Sequence, residues 1–111
     1  RFDVSRTNLE PEIVAYGLRN AWKISIDSKN RMFIGDCGWN KVESVYLIDD
    51  LYPTTPYNLG WPVFEGTERI REDPLTLQDT LGPIYGYRKK AMSAVISIAL
   101  KCLHGCHNGV L

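Results

Sequence analysis

The sequence predicts an all-β domain built from short strands separated by turns. Residues 22–27 alternate apolar and polar side chains, several β-prone runs are separated by polar turns and prolines, and no long helical pattern occurs before residue 88. Alternation with a period of two is typical of a strand with one buried face. Short strands at this spacing indicate a sandwich, a barrel or a propeller.

The predicted strands and loops follow one another closely along the chain. The strands cover residues 12–16, 22–27, 32–35, 42–49 and 83–87. A polar turn occupies residues 28–31, a loop with two prolines residues 49–56, and a long polar surface loop residues 67–80. Four strands with their loops make about one propeller blade of roughly 40 to 50 residues. Because repeat folds need at least about three units for stability, we expect the chain to be part of a larger domain.

The bulk composition is that of an ordinary globular protein. Of the 111 residues, 44% are hydrophobic and 23% charged, and thirteen basic residues balance thirteen acidic ones. These values argue against disorder and against a nucleic-acid partner. The longest apolar run near the end, residues 91–100, is too short for a membrane span of about 20 residues. No signal-peptide pattern opens the chain, and we expect it to be truncated ahead of Arg1.

The last part of the chain differs from the body. Residues 89–100 fit either a buried strand or a short amphipathic helix, and residues 97–111 are assigned to a divergent tail. The three cysteines are Cys37, Cys102 and Cys106, an odd count that fits neither a disulfide framework nor a closed zinc site. Together with His104 and His107, the tail cysteines either bind zinc or copper or form a chance cluster.

Arg19 and Asn20 are the first candidates for a binding role. They follow an apolar run and stand beside Gly17, where the chain must turn. An arginine there can form a charge-assisted fork with a ligand carboxylate, and Asn20 can donate and accept beside it. The alternative is an arginine at a strand end that pairs with a nearby Asp or Glu.

A second candidate is the glycine-rich loop at residues 35–40, followed by Glu43. Two glycines with Asp36 and Asn40 allow a tight backbone that directs carbonyl oxygens at a hard cation such as calcium. The alternative is a plain turn in which Asp36 and Asn40 satisfy backbone amides. A third cluster lies at residues 58–62, where Trp61 serves either as a packing anchor or as a ligand-stacking surface.

Three segments carry a family resemblance. The motifs are PEIVAYGLRNAW at residues 11–22, FIGDCGWNKVE at residues 33–43 and NLGWPVFEG at residues 58–66, and residues 83–87 extend the match. In this order and spacing they resemble the glucose/sorbosone dehydrogenase family. The resemblance covers residues 11–66 and, with its flanks, suggests a partial propeller over residues 1–96.

The resemblance implies a six-bladed β-propeller, of which this chain holds about one blade plus flanking strands. Relatives of this kind bind pyrroloquinoline quinone (PQQ) and calcium and oxidise aldose sugars, with a catalytic histidine on a blade that would precede Arg1. By motif, Arg19 is implied as a catalytic and cofactor-binding residue, Asn20 as a further cofactor contact, and Gly38 and Trp39 as calcium ligands through their carbonyls. The implied location is periplasmic or extracellular.

The chain departs from the family pattern at several places. Ala21 replaces the usual proline, Trp39 stands where relatives carry Gln or Pro, and Ser44 replaces the second glutamate. A break near residue 97 suggests a frameshift or a misjoined end. We therefore expect a fragment of a sugar dehydrogenase that is inactive alone. The alternative is a propeller interaction module without catalysis, related to hedgehog-interacting proteins.

Overall fold

The computed structural model describes residues 11–72 and 79–88, and within them every regular element is a β-strand. The strands are β1 (Ala15–Tyr16), β2 (Ala21–Ile26), β3 (Met32–Asp36), β4 (Val42–Ile48), β5 (Tyr57–Asn58), β6 (Phe64–Glu65), β7 (Glu68–Arg69) and β8 (Tyr85–Arg88). The predicted all-β class is confirmed. Within these ranges there is no helix with the length and apolarity to cross a membrane.

A four-stranded antiparallel sheet in the order β2-β3-β4-β8 dominates the structure. It has the strand number and antiparallel pairing of one propeller blade, which fits the predicted fragment of about one blade. Its first hairpin closes at Asp27, whose Oδ1 accepts the amides of Lys29 and Arg31, both at 2.9 Å. Asn30 adopts a left-handed φ of 60°, a conformation that asparagine tolerates better than most residues.

The core lies on one face of this sheet. Ile34 and Tyr46 are cross-strand partners, as are Met32 and Ile48, so their side chains share that face. Ile48 is fully buried, and Leu59 from a later loop closes the cluster. Around it pack the partly buried residues Val14, Ala15, Leu18, Met32, Leu51, Tyr57 and Leu81.

Two short segments cover the core face. β1 and β5 pair in parallel, with Ala15 opposite Tyr57. Backbone bonds extend this pairing on both sides: the amide of Tyr57 donates to the Val14 carbonyl at 2.9 Å and that of Trp61 to the Gly17 carbonyl at 2.8 Å. The pairing places the Gly17 turn directly beside Trp61.

Two sequence predictions need correction. β2 is a strand, as predicted, but it is not half-buried: Trp22, Ile24 and Ile26 are each more than half exposed, because β2 is an edge strand of the described sheet. The polar loop predicted at residues 67–80 contains β7, which forms a hairpin with β6. The remainder of that loop at residues 73–78, the domain boundary near residue 97 and the Cys102–His107 cluster lie outside the described residues.

Candidate functional site

The candidate site is built around residues 37–41, hereafter the 37–41 loop, which connects β3 to β4. Asp36, the last residue of β3, is buried and directs its carboxylate at the chain turn after β1. Oδ1 accepts the amide of Asn20 at 2.7 Å and Oδ2 that of Arg19 at 3.3 Å. The amide of Cys37 in turn donates to the Asn20 carbonyl at 3.0 Å. The turn and the loop are thus joined through the backbone.

The side chain of Arg19 reaches across to the same loop. Its Nη1 donates to the carbonyls of Cys37 and Gly38, both at 3.1 Å. Its guanidinium carbon lies 5.9 Å from the centroid of the Trp61 ring, within the range of a cation–π contact. The alternative expectation from the sequence was an ion pair with a carboxylate. The guanidinium instead binds two carbonyls and contacts an indole.

Glu65 organises the opposite side of the loop. This glutamate is 3% exposed, and its Oε1 accepts three consecutive amides, from Asn40 at 2.8 Å, Lys41 at 2.6 Å and Val42 at 3.0 Å. A carboxylate that accepts several backbone amides resembles an anion bound in a backbone nest. In the sequence, Glu65 is visible only as part of the motif at residues 58–66. No local pattern links it to amides more than twenty residues earlier.

Gly38 is required by space. A Cβ on Gly38 would lie 1.8 Å from the Val42 carbonyl oxygen and 2.7 Å from Oε1 of Glu65. The amide of Gly38 donates to Oε2 of Glu43, also buried, at 3.1 Å. Any side chain here would displace the backbone that the three acidic residues hold.

Two tryptophans form the outer surface of the site. The rings of Trp39 and Trp61 lie 6.4 Å apart and are nearly perpendicular, an edge-to-face arrangement that aromatic pairs favour. Trp39 is 52% exposed. The Trp61 ring thus contacts both Trp39 and the Arg19 guanidinium.

The charges of the site are mostly buried and negative. Burial raises the pKa of Asp36 above its ordinary value, and the nearby Glu43 charge adds to this, while the amides of Asn20 and Arg19 and the Arg19 guanidinium oppose it. Burial, together with the Asp36 charge, raises the pKa of Tyr46 to about 12. Arg19 joins these parts of the site, because its amide donates to Oδ2 of Asp36 and its guanidinium to the Gly38 carbonyl.

The structure brings together all four residues implicated by the family resemblance. Arg19, Asn20, Gly38 and Trp39 meet at the 37–41 loop. Asn20 takes part through its backbone, and Asp36 satisfies amides as one sequence alternative held. Within residues 11–72 and 79–88, no group of three or more His, Cys, Asp or Glu side chains is placed to hold a metal ion.

The fold and the site define a blade-like β-sheet with an internally braced loop at one end. Over 83 residues the chain is 42% identical to the HIPL1 protein of Arabidopsis thaliana. The similar region covers 69% of this chain and 11% of that protein, so the chain spans about a tenth of that relative's length. No protein-family profile matches the chain, and no solved structure matches it.

Proposed function

We propose that this chain is a blade of a non-catalytic β-propeller binding protein. The proposal rests on the two hydrogen bonds that Arg19 Nη1 donates, one to the Cys37 carbonyl and one to the Gly38 carbonyl. A quinone would need the Arg19 guanidinium and its calcium ion would need the Gly38 carbonyl, but here these two groups are hydrogen-bonded to each other. The similarity to the HIPL1 protein supports a propeller of the interaction type, though it covers a small part of that protein.

The binding surface in this proposal consists of Trp39, Trp61 and the outer side of Arg19, hereafter the Trp-Arg surface. Tryptophan and arginine are the residue types that most often dominate the energy of protein interfaces. The Trp61 backbone amide donates a hydrogen bond to the Gly17 carbonyl, and the Trp61 and Trp39 rings contact each other edge to face. Rigid aromatic side chains lose little entropy when a partner covers them.

A second candidate is a fragment of a PQQ-dependent sugar dehydrogenase. The contact of the Arg19 guanidinium with the Trp61 ring favours it, because a flat, carboxylated quinone could stack on an indole and pair with an arginine. The cofactor would supply the redox chemistry, and Arg19 and Asn20 would orient it. Aldose substrate, PQQ and calcium then belong to the complete protein, and the chain alone would lack the catalytic histidine.

Binding of PQQ to a longer protein that contains this segment distinguishes the two candidates. Tryptophan fluorescence is followed during titration with PQQ in the unsubstituted protein, in Arg19→Met and in Trp22→Phe, which removes the indole of this chain that is not part of the Trp-Arg surface. The binding-protein proposal predicts no saturable quenching in any of them. Saturable quenching that Arg19→Met abolishes, together with aldose-dependent dye reduction by a longer protein that contains this segment, would instead establish the dehydrogenase.

A further inference from the structure

We infer that the guanidinium of Arg19 is the resident cation of the 37–41 loop and that this loop takes no calcium ion. The inference concerns how the loop is held together and does not depend on which function the chain has. It departs from what the family resemblance implies for Gly38 and Trp39. Contacts on both sides of the loop carry it.

Of the two carbonyls that would coordinate calcium, that of Gly38 is already bound. The Gly38 carbonyl accepts Arg19 Nη1 at 3.1 Å, and the adjacent Cys37 carbonyl accepts the same nitrogen. Calcium takes six to eight oxygen ligands at about 2.3 to 2.6 Å, so its ion would have to approach this oxygen more closely than the guanidinium does. Two cations on one carbonyl repel each other strongly in a partly buried site.

The nearby carboxylates already accept hydrogen bonds from backbone amides. Oε1 of Glu65 accepts the amides of Asn40, Lys41 and Val42, and Oε2 of Glu43 accepts that of Gly38. Both carboxylate oxygens of Asp36 accept amides of the Arg19 turn. A calcium ion would have to replace these bonds, whereas the guanidinium leaves them intact.

Arg19 is held both at its backbone and at its guanidinium. Its own amide donates to Asp36 at 3.3 Å, and its guanidinium lies over the Trp61 ring at 5.9 Å. A side chain fixed in this way loses little further entropy when it donates to the loop carbonyls, and the planar guanidinium can contact an indole and carbonyls at once. Arg19 therefore supplies positive charge near the buried Asp36 without a metal ion.

Terbium luminescence tests the metal part of the inference. Terbium replaces calcium at oxygen sites, and the indoles of Trp39 and Trp61 lie beside the loop, so bound terbium would be excited through them. The full 111-residue chain, with its near-ultraviolet circular dichroism as a check of folding, is titrated with terbium chloride and then with calcium chloride. We expect no saturable emission that calcium displaces. Emission that saturates and that calcium displaces would overturn the inference.

Thermal unfolding of Arg19 variants in EDTA tests the role of the guanidinium. We expect Arg19→Met to lower the midpoint by about 5 to 10 °C, since two hydrogen bonds and a cation–π contact are lost. Arg19→Lys should recover part of this loss, because an ammonium keeps the charge but not the fork. Arg69→Met is the matched control, since this exposed arginine forms an ion pair with the exposed Glu72. A midpoint for Arg19→Met equal to that of the control would overturn the inference; if Arg19→Met does not fold, the terbium titration of the unsubstituted chain decides.

Discussion

The Oε1 atom of Glu65 lies 2.6 Å from the backbone nitrogen of Lys41, which precedes it by 24 residues. This bond and its two neighbours join the β6 strand to the start of β4. They hold one side of the 37–41 loop, and Arg19 holds the other. The site is therefore a loop fixed between an anion and a cation that both belong to the chain.

Replacement of Glu65 by glutamine tests the anionic side. The glutamine amide keeps one oxygen but loses the negative charge that three amides share, so Glu65→Gln should lower the free energy of unfolding by about 1 to 3 kcal/mol. Urea unfolding followed by circular dichroism measures the change. Glu72→Gln is the control, because the Glu72 side chain is 90% exposed and its loss should cost at most about 0.5 kcal/mol. Equal effects of the two substitutions would contradict the assigned role of Glu65.

Gly38 and Gly82 form a matched pair for the backbone of the loop. A methyl group at Gly38 would collide with the Val42 carbonyl, whereas nothing lies within 4 Å of a Cβ on Gly82. We expect Gly38→Ala to cost about 3 kcal/mol or more, at the upper end of overpacking effects, and Gly82→Ala to be neutral within about 0.5 kcal/mol. Thermal melting of both variants side by side measures this. A Gly38→Ala variant with an unchanged midpoint would show that the loop is not as close to Val42 as described.

The core and the exposed edge strand can be compared through two isoleucines. Ile48 is fully buried and Ile26 is 55% exposed, although both lie on the same face of the sheet. Ile48→Ala should cost about 2 to 5 kcal/mol, and Ile26→Ala less than about 1 kcal/mol. Denaturant unfolding gives both values. A cost for Ile26→Ala as large as that for Ile48→Ala would mean that the β2 edge is covered in solution.

Asp36 makes the stability of the chain depend on pH. Burial and the Glu43 charge raise its native pKa above the ordinary value of 3.8, so the native chain binds this proton more tightly than the unfolded chain does. The contribution of Asp36 to stability is therefore full below pH 3.8 and is lost as the pH rises through the native pKa.

Asp36→Asn removes this titration and provides the comparison. The free energy of unfolding of the unsubstituted chain minus that of the variant should decrease as the pH rises across that window. Urea unfolding at a series of pH values measures it. If this difference instead grows as the pH rises, the hydrogen bonds from backbone amides and the Arg19 charge lower the pKa of Asp36 by more than burial raises it.

Local patterns predicted the strands but not the partners of the loop. Alternation along residues 22–27 identified β2, and β-prone runs identified β3 and β4, because the period of side chains along a strand is visible in sequence. The exposure of β2 was not predictable in the same way, since it depends on which strand ends the sheet. The alternation of side chains along a strand shows which residues share a face, but it does not show which strands lie beside that strand in the sheet.

The functional site was predicted in part for the same reason. The glycine-rich loop and the Arg19 turn stood out through their composition, and both lie in the site. The bonds from Glu65 to Asn40, Lys41 and Val42, and from Arg19 to the loop carbonyls, join residues 18 to 25 positions apart. Such bonds follow from the register of β3, β4 and β6, which no local pattern specifies.

Amide hydrogen exchange in the 37–41 loop shows whether the chain holds this loop without calcium. Asn40 and Lys41 are exposed residues, yet their amides donate to the buried Glu65. We expect these two amides and that of Val42 to exchange slowly in EDTA, and we expect added calcium to leave their exchange rates unchanged. Exchange at the rate of an unprotected amide in EDTA, slowed only when calcium is added, would contradict this expectation.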